Sequence, residues 1–308
     1  MRALVTGADG FVGRHLVAHL RAAGDEVHEV VGNASGGTGP HRDVVDVRDH
    51  HALAEVVVAT GPDIVYHLAA VAYGPDAQAD LDTAVSVTIG GTVHLLEAAV
   101  ECGSRPKVVI TGSSEVYGAP GDERIAEDAP VRPINLYGAT KAAQEVLGLA
   151  FGKVHSLAVV ATRSFNHIGP GQRESFAVAS FARQLADIHA GRQAPEVRVG
   201  NLAPVRDFAD VRDVVRAYRL LATSNVKDRA VNVASGEATS VRDILHGLID
   251  ASGLEVRVGV DPARVRATDA HRIVGDPTLL HHLTGWTPRI PLSQTLRDVW
   301  LDALERWG

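Results

Sequence analysis

The chain contains one cysteine and one methionine in 308 residues. A single thiol excludes an internal disulfide and any cysteine-built metal centre, and Cys102 reads as a small buried filler. Lysine is nearly as sparse, confined to Lys107, Lys141, Lys153 and Lys227, so the basic side of the chain is mostly arginine. Basic residues number 30 against 37 acidic ones, a net charge of −7, which works against attraction to polyphosphate backbones or anionic membranes. Neither nucleic acid nor a membrane is an expected partner. No apolar run long enough to span a bilayer stands out, and Met1-Arg-Ala-Leu-Val-Thr6 lacks the charged and apolar regions of a signal peptide. The expected location is cytoplasmic. Although 15 histidines are present, the pairs His50-His51 and His281-His282 are adjacent, so their side chains diverge, and no His-Glu-x-x-His arrangement occurs. No catalytic metal is expected.

The remaining composition, 45% hydrophobic and 22% charged with 30 glycines, is that of a folded enzyme. In the first two-thirds, short apolar runs (Ala3 to Val5, Glu26 to Val31, Asp63 to Leu68, Lys107 to Thr111, Leu157 to Thr162) alternate with stretches of helical spacing such as Gly13 to Ala23 and Asp82 to Glu101. Such alternation predicts an α/β fold: a doubly wound parallel sheet of the Rossmann type, covered by helices on both faces. After Arg163 the alternation stops, and loops such as His167-Ile-Gly-Pro-Gly-Gln172 announce a smaller lobe. A helix over Asp210 to Ala222 and a strand over Ala230 to Val233 return the chain to the sheet. The expected division is residues 1–165 plus 207–235 as the dinucleotide-binding domain, and 166–206 plus 236–308 as a discontinuous α/β substrate lobe. Helical periodicity recurs over Ser240 to Ser252 and Leu292 to Trp307.

Thr6-Gly-Ala-Asp-Gly-Phe-Val-Gly13 lies between the first strand and the first helix, with glycines at 7, 10 and 13. A turn this tight beneath a pyrophosphate needs residues without Cβ, and the following helix N-terminus offers free N–H groups and a positive dipole end. Gly7, Asp9, Gly10, Phe11, Val12 and Gly13 are thus candidate dinucleotide contacts. Where an acid ending the second strand would hold the adenosine ribose, the chain reads Val31-Gly-Asn33. Without that carboxylate NADP(H) is favoured, with NAD(H) the alternative; Asp46 and Val47 are candidates for the adenine end.

Tyr137-Gly-Ala-Thr-Lys141 puts a phenol and an ammonium one helical turn apart on one face. A nearby cation stabilises a phenolate and lowers a tyrosine pKa from about 10. Upstream, Val108 to Gly118 runs from a strand into a polar loop, at the strand end where open α/β sheets bind ligands. There Ser113 or Ser114 could donate to a substrate oxygen; the residues alone do not separate the two.

The glycine turn, His67-Leu-Ala-Ala70, Ser113-Ser-Glu-Val-Tyr-Gly118 and the Tyr137/Lys141 pair together resemble the extended short-chain dehydrogenase/reductases, the nucleotide-sugar epimerase and dehydratase group. The resemblance covers nearly the whole chain. It implies a catalytic triad of Ser113, Tyr137 and Lys141, with Lys141 also on the nicotinamide ribose. It adds Leu68, Ala69, Ala70, Thr111 and Phe165 to the cofactor contacts. It implies homodimerisation through the helices around Asp82–Glu101 and Tyr137–Phe151. The family usually carries asparagine where this chain has Thr88.

Substrate features follow from the same resemblance. Arg163-Ser-Phe-Asn-His-Ile-Gly-Pro-Gly-Gln172 is similar to the 4-keto-6-deoxymannose reductase branch, implying substrate contacts from Asn166 and Gln172. Arg206 stands where the family holds a nucleotide phosphate, a fit for a guanidinium fork. Arg266-Ala-Thr-Asp269 resembles a phosphate- and ribose-binding element of the GDP-sugar branch, with Ala267 in place of proline. Ser114 and Glu115 complete the substrate set, Glu115 matching the acid/base of related 4,6-dehydratases. The expected activity is NAD(P)H-dependent reduction of the C4 keto group of a GDP-linked 4-keto-6-deoxy sugar. The alternatives are a nucleotide-sugar 4-epimerase, a GDP-mannose 4,6-dehydratase, or a non-enzymatic redox sensor or scaffold of the same fold.

Overall fold

The computed structural model describes residues 1–32, 39–121, 123–264 and 270–308. The apolar runs form strands buried on both faces, as parallel strands between helix layers must be. Along the chain come β1 Arg2–Thr6, α1 Phe11–Ala22, β2 Glu26–Val31, β3 Arg42–Val44, α2 His50–Thr60 and β4 Ile64–His67. These are followed by α3 Gly74–Ala79, α4 Leu81–Val85, a π-helical turn Ser86–Gly90, α5 Gly91–Glu101, β5 Lys107–Thr111, α6 Leu136–His155 and β6 Val159–Ser164. The smaller lobe and the return to the sheet contain β7 Asn166–Ile168, α7 Ala177–His189, β8 Glu196–Val199, β9 Val205–Asp210, α8 Val211–Thr223 and β10 Arg229–Val233. Last come β11 Ala238–Ser240, α9 Val241–Ser252, β12 Arg257–Val260, β13 Arg272–Ile273, α10 Thr278–Thr284 and α11 Leu292–Trp307.

Seven strands make one sheet in the order β10-β6-β5-β4-β1-β2-β3, every neighbour parallel. Strand order reverses between β1 and β4, so the crevice beyond their carboxyl ends is the place where a doubly wound sheet takes a ligand. One core lies between the sheet and α1 and α8, with Leu16, Tyr218 and Trp286 in it. The opposite face is filled by Leu53, Val57, Leu95 and Leu96 from α2 and α5. A separate core of Phe181, Leu185, Leu245 and Trp300 joins α7, α9 and α11. Val205–Asp210, where sequence reading places no element before the helix expected from Asp210, is strand β9 of a small sheet that also contains β7, β11 and β13.

The sequence shows no spanning run, yet the continuous helical stretch Leu81–Glu101 is long and apolar enough by length and composition to cross a bilayer. Its apolar face packs on the sheet instead, with Leu95, Leu96, Ala98 and Ala99 fully buried. Asp82 and Glu97 interrupt its outer side, which is why the run is not continuous in the sequence.

Candidate active site

A cleft of about 1230 Å³ opens between the carboxyl ends of the sheet and the smaller lobe. Its volume exceeds what one drug-sized ligand requires, since ordinary pockets run to about 1,000 Å³. Its floor begins at the glycine turn. A Cβ on Gly13 would stand 2.2 Å from the Gly7 carbonyl oxygen and 2.7 Å from that of Ala8, so helix α1 can start this close to β1 only with glycine there. Gly10 is the N-cap of α1 and provides no side-chain cap, leaving the first N–H groups of the helix directed at the cleft. These features fit the pyrophosphate of a dinucleotide.

The carboxyl end of β5 supplies Ser113, whose Oγ caps the following 3-10 turn by accepting from the Glu115 N–H at 3.2 Å. Helix α6 comes down on this turn at Gly138, where an added Cβ would lie 2.5 Å from the Glu115 carbonyl oxygen. That approach brings Tyr137 to Ser113. Burial pushes the Tyr137 phenol up to about 12, and the Ser113 hydroxyl, hydrogen-bonding to it, acts in the opposite direction. Its neighbour Ser114 is 5% exposed against 8% for Ser113, and both line the cleft. The Tyr137 contact is what distinguishes Ser113.

Lys141 lies one turn deeper, 3% exposed. Its Nζ donates to the Thr111 carbonyl at 2.8 Å and to Gln144 Oε1 at 3.0 Å. Burial brings the ammonium down to about 7, because removing a cation from water disfavours the charged form. Behind it, His67 is completely buried between Thr6 Oγ1 at 2.8 Å and Thr92 Oγ1 at 3.0 Å. Desolvation, with the Lys141 charge adding to it, holds the imidazole down at about 3. It is neutral at any physiological pH.

Of the residues singled out from sequence, Gly7, Asp9 to Gly13, Leu68, Ala69, Ala70, Thr111, Ser113, Ser114, Glu115, Tyr137, Lys141, Phe165, Asn166, Gln172 and Arg206 all line this cleft. Arg206 is 8% exposed and donates to the Val205 carbonyl at 2.9 Å. Asp46 and Val47 are not brought to the cleft wall. The Asp46 carboxylate is engaged with Arg48 at 2.5 Å, and Val47 packs against Gly91. Asn33, Arg266 and Asp269 lie outside the described residues.

The cleft also has walls that sequence reading missed. Arg14, Tyr73, Asn135, Arg173, Phe176 and Arg264 line it. Tyr73 and Phe176 meet edge to face at 5.0 Å, and Arg173 approaches Asp76 at 3.8 Å, so α3 and the loop before α7 touch across the opening. Asn135 alone had a readable signal: an asparagine immediately before a helical run is a preferred N-cap. Among the described residues no group of three metal-ligating side chains is placed to hold an ion.

A Rossmann cleft with a serine after the carboxyl end of β5 and a tyrosine and lysine from α6 defines an NAD(P)-dependent oxidoreductase of the extended short-chain dehydrogenase/reductase class. The family profile described as GDP-mannose 4,6 dehydratase matches residues 4–299, and the chain belongs to that family. It is 36% identical over 303 residues to a GDP-6-deoxy-D-mannose reductase of Pseudomonas aeruginosa, covering 98% of this chain and 96% of the relative. The structure of RMD from Pseudomonas aeruginosa complexed with NADPH superposes with a TM-score of 0.90 at 35% identity, covering 99% of each chain. That of a Thermus thermophilus UDP-glucose 4-epimerase in complex with NAD gives 0.88 at 30% identity, over 98% and 99% of the two chains.

Proposed function

We propose that the protein reduces the C4 keto group of GDP-4-keto-6-deoxy-D-mannose with NADPH, giving GDP-D-rhamnose. The observation that carries this reading is the 36% identity to a GDP-6-deoxy-D-mannose reductase over 98% of the chain, joined to a tyrosine held as a proton source in the cleft. Residues 1–165 with 207–235 take the dinucleotide, and 166–206 with 236–308 take the nucleotide sugar.

The nicotinamide, when bound, supplies the hydride to the C4 carbon. Tyr137 holds the proton that the sugar oxygen receives; a phenol near 12 stays protonated at neutral pH and suits an acid rather than a base. Ser113 donates a hydrogen bond to the same oxygen, stabilising the charge that develops on it. Lys141 presents its ammonium beneath Tyr137 and toward the nicotinamide ribose. Gly7 to Gly13 and the start of α1 bind the dinucleotide pyrophosphate. Leu68, Ala69, Ala70, Thr111 and Phe165 flank the nicotinamide half, and Asn33 belongs to its adenosine end. The absence of an acidic side chain at Val31-Gly-Asn33 favours NADPH over NADH.

Arg206, with Asn166 and Gln172, grips the sugar nucleotide, and Arg266 and Asp269 take its phosphate and ribose. Ser114 and Glu115 face the hexose. The Glu115 carboxylate accepts from Asn135 Nδ2 at 2.7 Å, which supports a sugar-holding role over the acid/base work of a dehydratase. Packed helices α4 and α6 leave Leu81, Val85 and Val146 exposed, which favours a homodimer paired through that face. The expected setting is cytoplasmic.

A substrate panel tests this reading. Purified protein is offered GDP-4-keto-6-deoxy-D-mannose, dTDP-4-keto-6-deoxyglucose, UDP-glucose and GDP-mannose, each with NADPH and with NADH. Consumption of NADPH only with the GDP-linked keto sugar supports the assignment. Turnover of UDP-glucose or GDP-mannose instead turns it toward epimerase or dehydratase chemistry.

A further inference from the structure

The donors and acceptors of the polar chain behind Lys141 fit together in one consistent direction. Thr92 Oγ1 donates to the Thr88 carbonyl at 2.6 Å, so toward its other neighbours it can only accept. It therefore takes one hydrogen bond from His67 Nε2 at 3.0 Å and one from Gln144 Nε2 at 2.8 Å. The first fixes the imidazole tautomer, leaving Nδ1 to accept from Thr6 Oγ1 at 2.8 Å. The second fixes the Gln144 amide. With its nitrogen committed to Thr92, its oxygen must face Lys141, and Oε1 lies 3.0 Å from Nζ. Gln144 is 1% exposed and Thr92 is fully buried, so both bonds lie away from bulk solvent.

Thr88 does not reach the ammonium by its side chain: its hydroxyl accepts from the Val71 N–H at 3.3 Å. Among the described residues Lys141 Nζ donates to the Thr111 carbonyl and to the Gln144 amide oxygen, and of these two acceptors the second is the one that belongs to a side chain.

We propose that Gln144 is a positioning residue that holds Lys141 in place and favours its charged form, with its own orientation dictated by Thr92. An acceptor aimed at a buried ammonium stabilises the charged form, opposing the desolvation that favours the neutral one. The titratable groups near this pair are His67 from β4, which is neutral, and Tyr137 from the same helix. Tyr218 of α8 and Glu115 of the turn after β5 act on Tyr137. None of these supplies a negative charge to Lys141 at neutral pH in place of the amide. The chain of donors also ends at the Thr88 carbonyl, so it is a scaffold and not a proton exit.

The meaning of the role rests on the reductase reading, but its test needs no substrate. In cofactor-free, full-length protein labelled with 13C-lysine, the Lys141 signal is assigned by its loss in Lys141→Met and its midpoint followed against pH. Gln144→Met removes the acceptor at similar volume, and the midpoint is expected to fall by about half a unit or more. Gln144→Glu supplies a stronger acceptor, and the midpoint is expected to rise by about a unit, Thr92 turning its hydroxyl to the second carboxylate oxygen. Opposite shifts establish the role even if the protein proves to be an epimerase. Midpoints within about a tenth of a unit of the wild-type value in the folded variants would overturn it, whatever the enzyme reduces. Should Gln144→Met not fold, Gln144→Glu alone decides by the same criterion. A purely structural glutamine would lower thermal stability in both variants and shift neither midpoint.

Discussion

Asn135 joins the turn after β5 to the start of α6: its Nδ2 donates to Glu115 Oε2 at 2.7 Å while its Oδ1 accepts from the Gly138 N–H at 2.7 Å. One amide thus caps the helix that carries Tyr137 and Lys141, and fixes the carboxylate after Ser113. A change there is felt on both sides of the cleft. Asn135→Ala is expected to cost about 1 kcal/mol through the lost N-cap. It should lower kcat/KM by more than the stability loss explains, because Glu115 is released. Asn135→Asp keeps the cap but sets a second carboxylate against Glu115, so thermal melts of the two variants should part company, Asp above Ala, while both lose activity. Unchanged kcat/KM in Asn135→Ala would contradict the link.

Helix α1 reaches the glycine turn only because position 13 has no side chain. Gly13→Ala places a methyl 2.2 Å from the Gly7 carbonyl oxygen, a backbone atom that cannot rotate away. The helix start must shift off the pyrophosphate site. Fluorescence titration should show NADPH binding weakened by at least about tenfold, roughly 1.4 kcal/mol, with a circular dichroism spectrum like that of the parent. Equal affinity would place the dinucleotide elsewhere.

His67 ties stability to pH. Its folded value near 3 lies below the ordinary 6.5, so the unfolded chain binds the extra proton between those limits. The stabilisation is complete above about 6.5 and is lost as pH falls toward 3, at up to about 1.4 kcal/mol per unit. Lys141, lowered from 10.5 to about 7, has the same sign: stability rises with pH across that higher window. Urea denaturation at successive pH values should give a shallower slope between pH 6.5 and 4 for His67→Gln than for the parent. Parallel slopes would mean His67 is not the titrating group.

Tyr66 has a hydroxyl with no hydrogen-bond partner among the described residues, although its ring is fully buried in the sheet core. An unsatisfied buried hydroxyl carries a desolvation penalty of about 1–3 kcal/mol. Tyr66→Phe keeps the ring and removes the penalty, so denaturant midpoints should stay level or rise by the equivalent of about 1 kcal/mol. A marked fall would show that the hydroxyl has a partner.

The sheet was legible because its strands are apolar on both sides and its helices repeat at three and four residues, as in Ala3 to Val5 and Asp82 to Glu101. Helix α2 was not: Val56, Val57 and Val58 in its centre are poor helix formers, although Asp49 caps its start and Gly61 ends it in the left-handed region. In the smaller lobe, strands β7, β11 and β13 span two or three residues each, too short to show alternation. Tyr137 and Lys141 could be read from helix geometry, but Ser113 needed the family pattern to be preferred over Ser114. The expectation that Lys141 lowers the tyrosine pKa rested on their spacing. Burial of the phenol, which spacing does not reveal, is the largest influence on Tyr137 and pushes it up. Gln144 carried no signal at all, because its meaning comes from Thr92 on a different helix.

Transfer of deuterium from NADPH carrying deuterium at both C4 positions tests the central claim most directly. With GDP-4-keto-6-deoxy-D-mannose in excess, the account predicts one deuterium at C4 of the 6-deoxyhexose for each NADPH oxidised, and none from Tyr137→Phe, which should still bind the cofactor. NADPH left unoxidised by the parent protein, or label found at any other carbon, would contradict it.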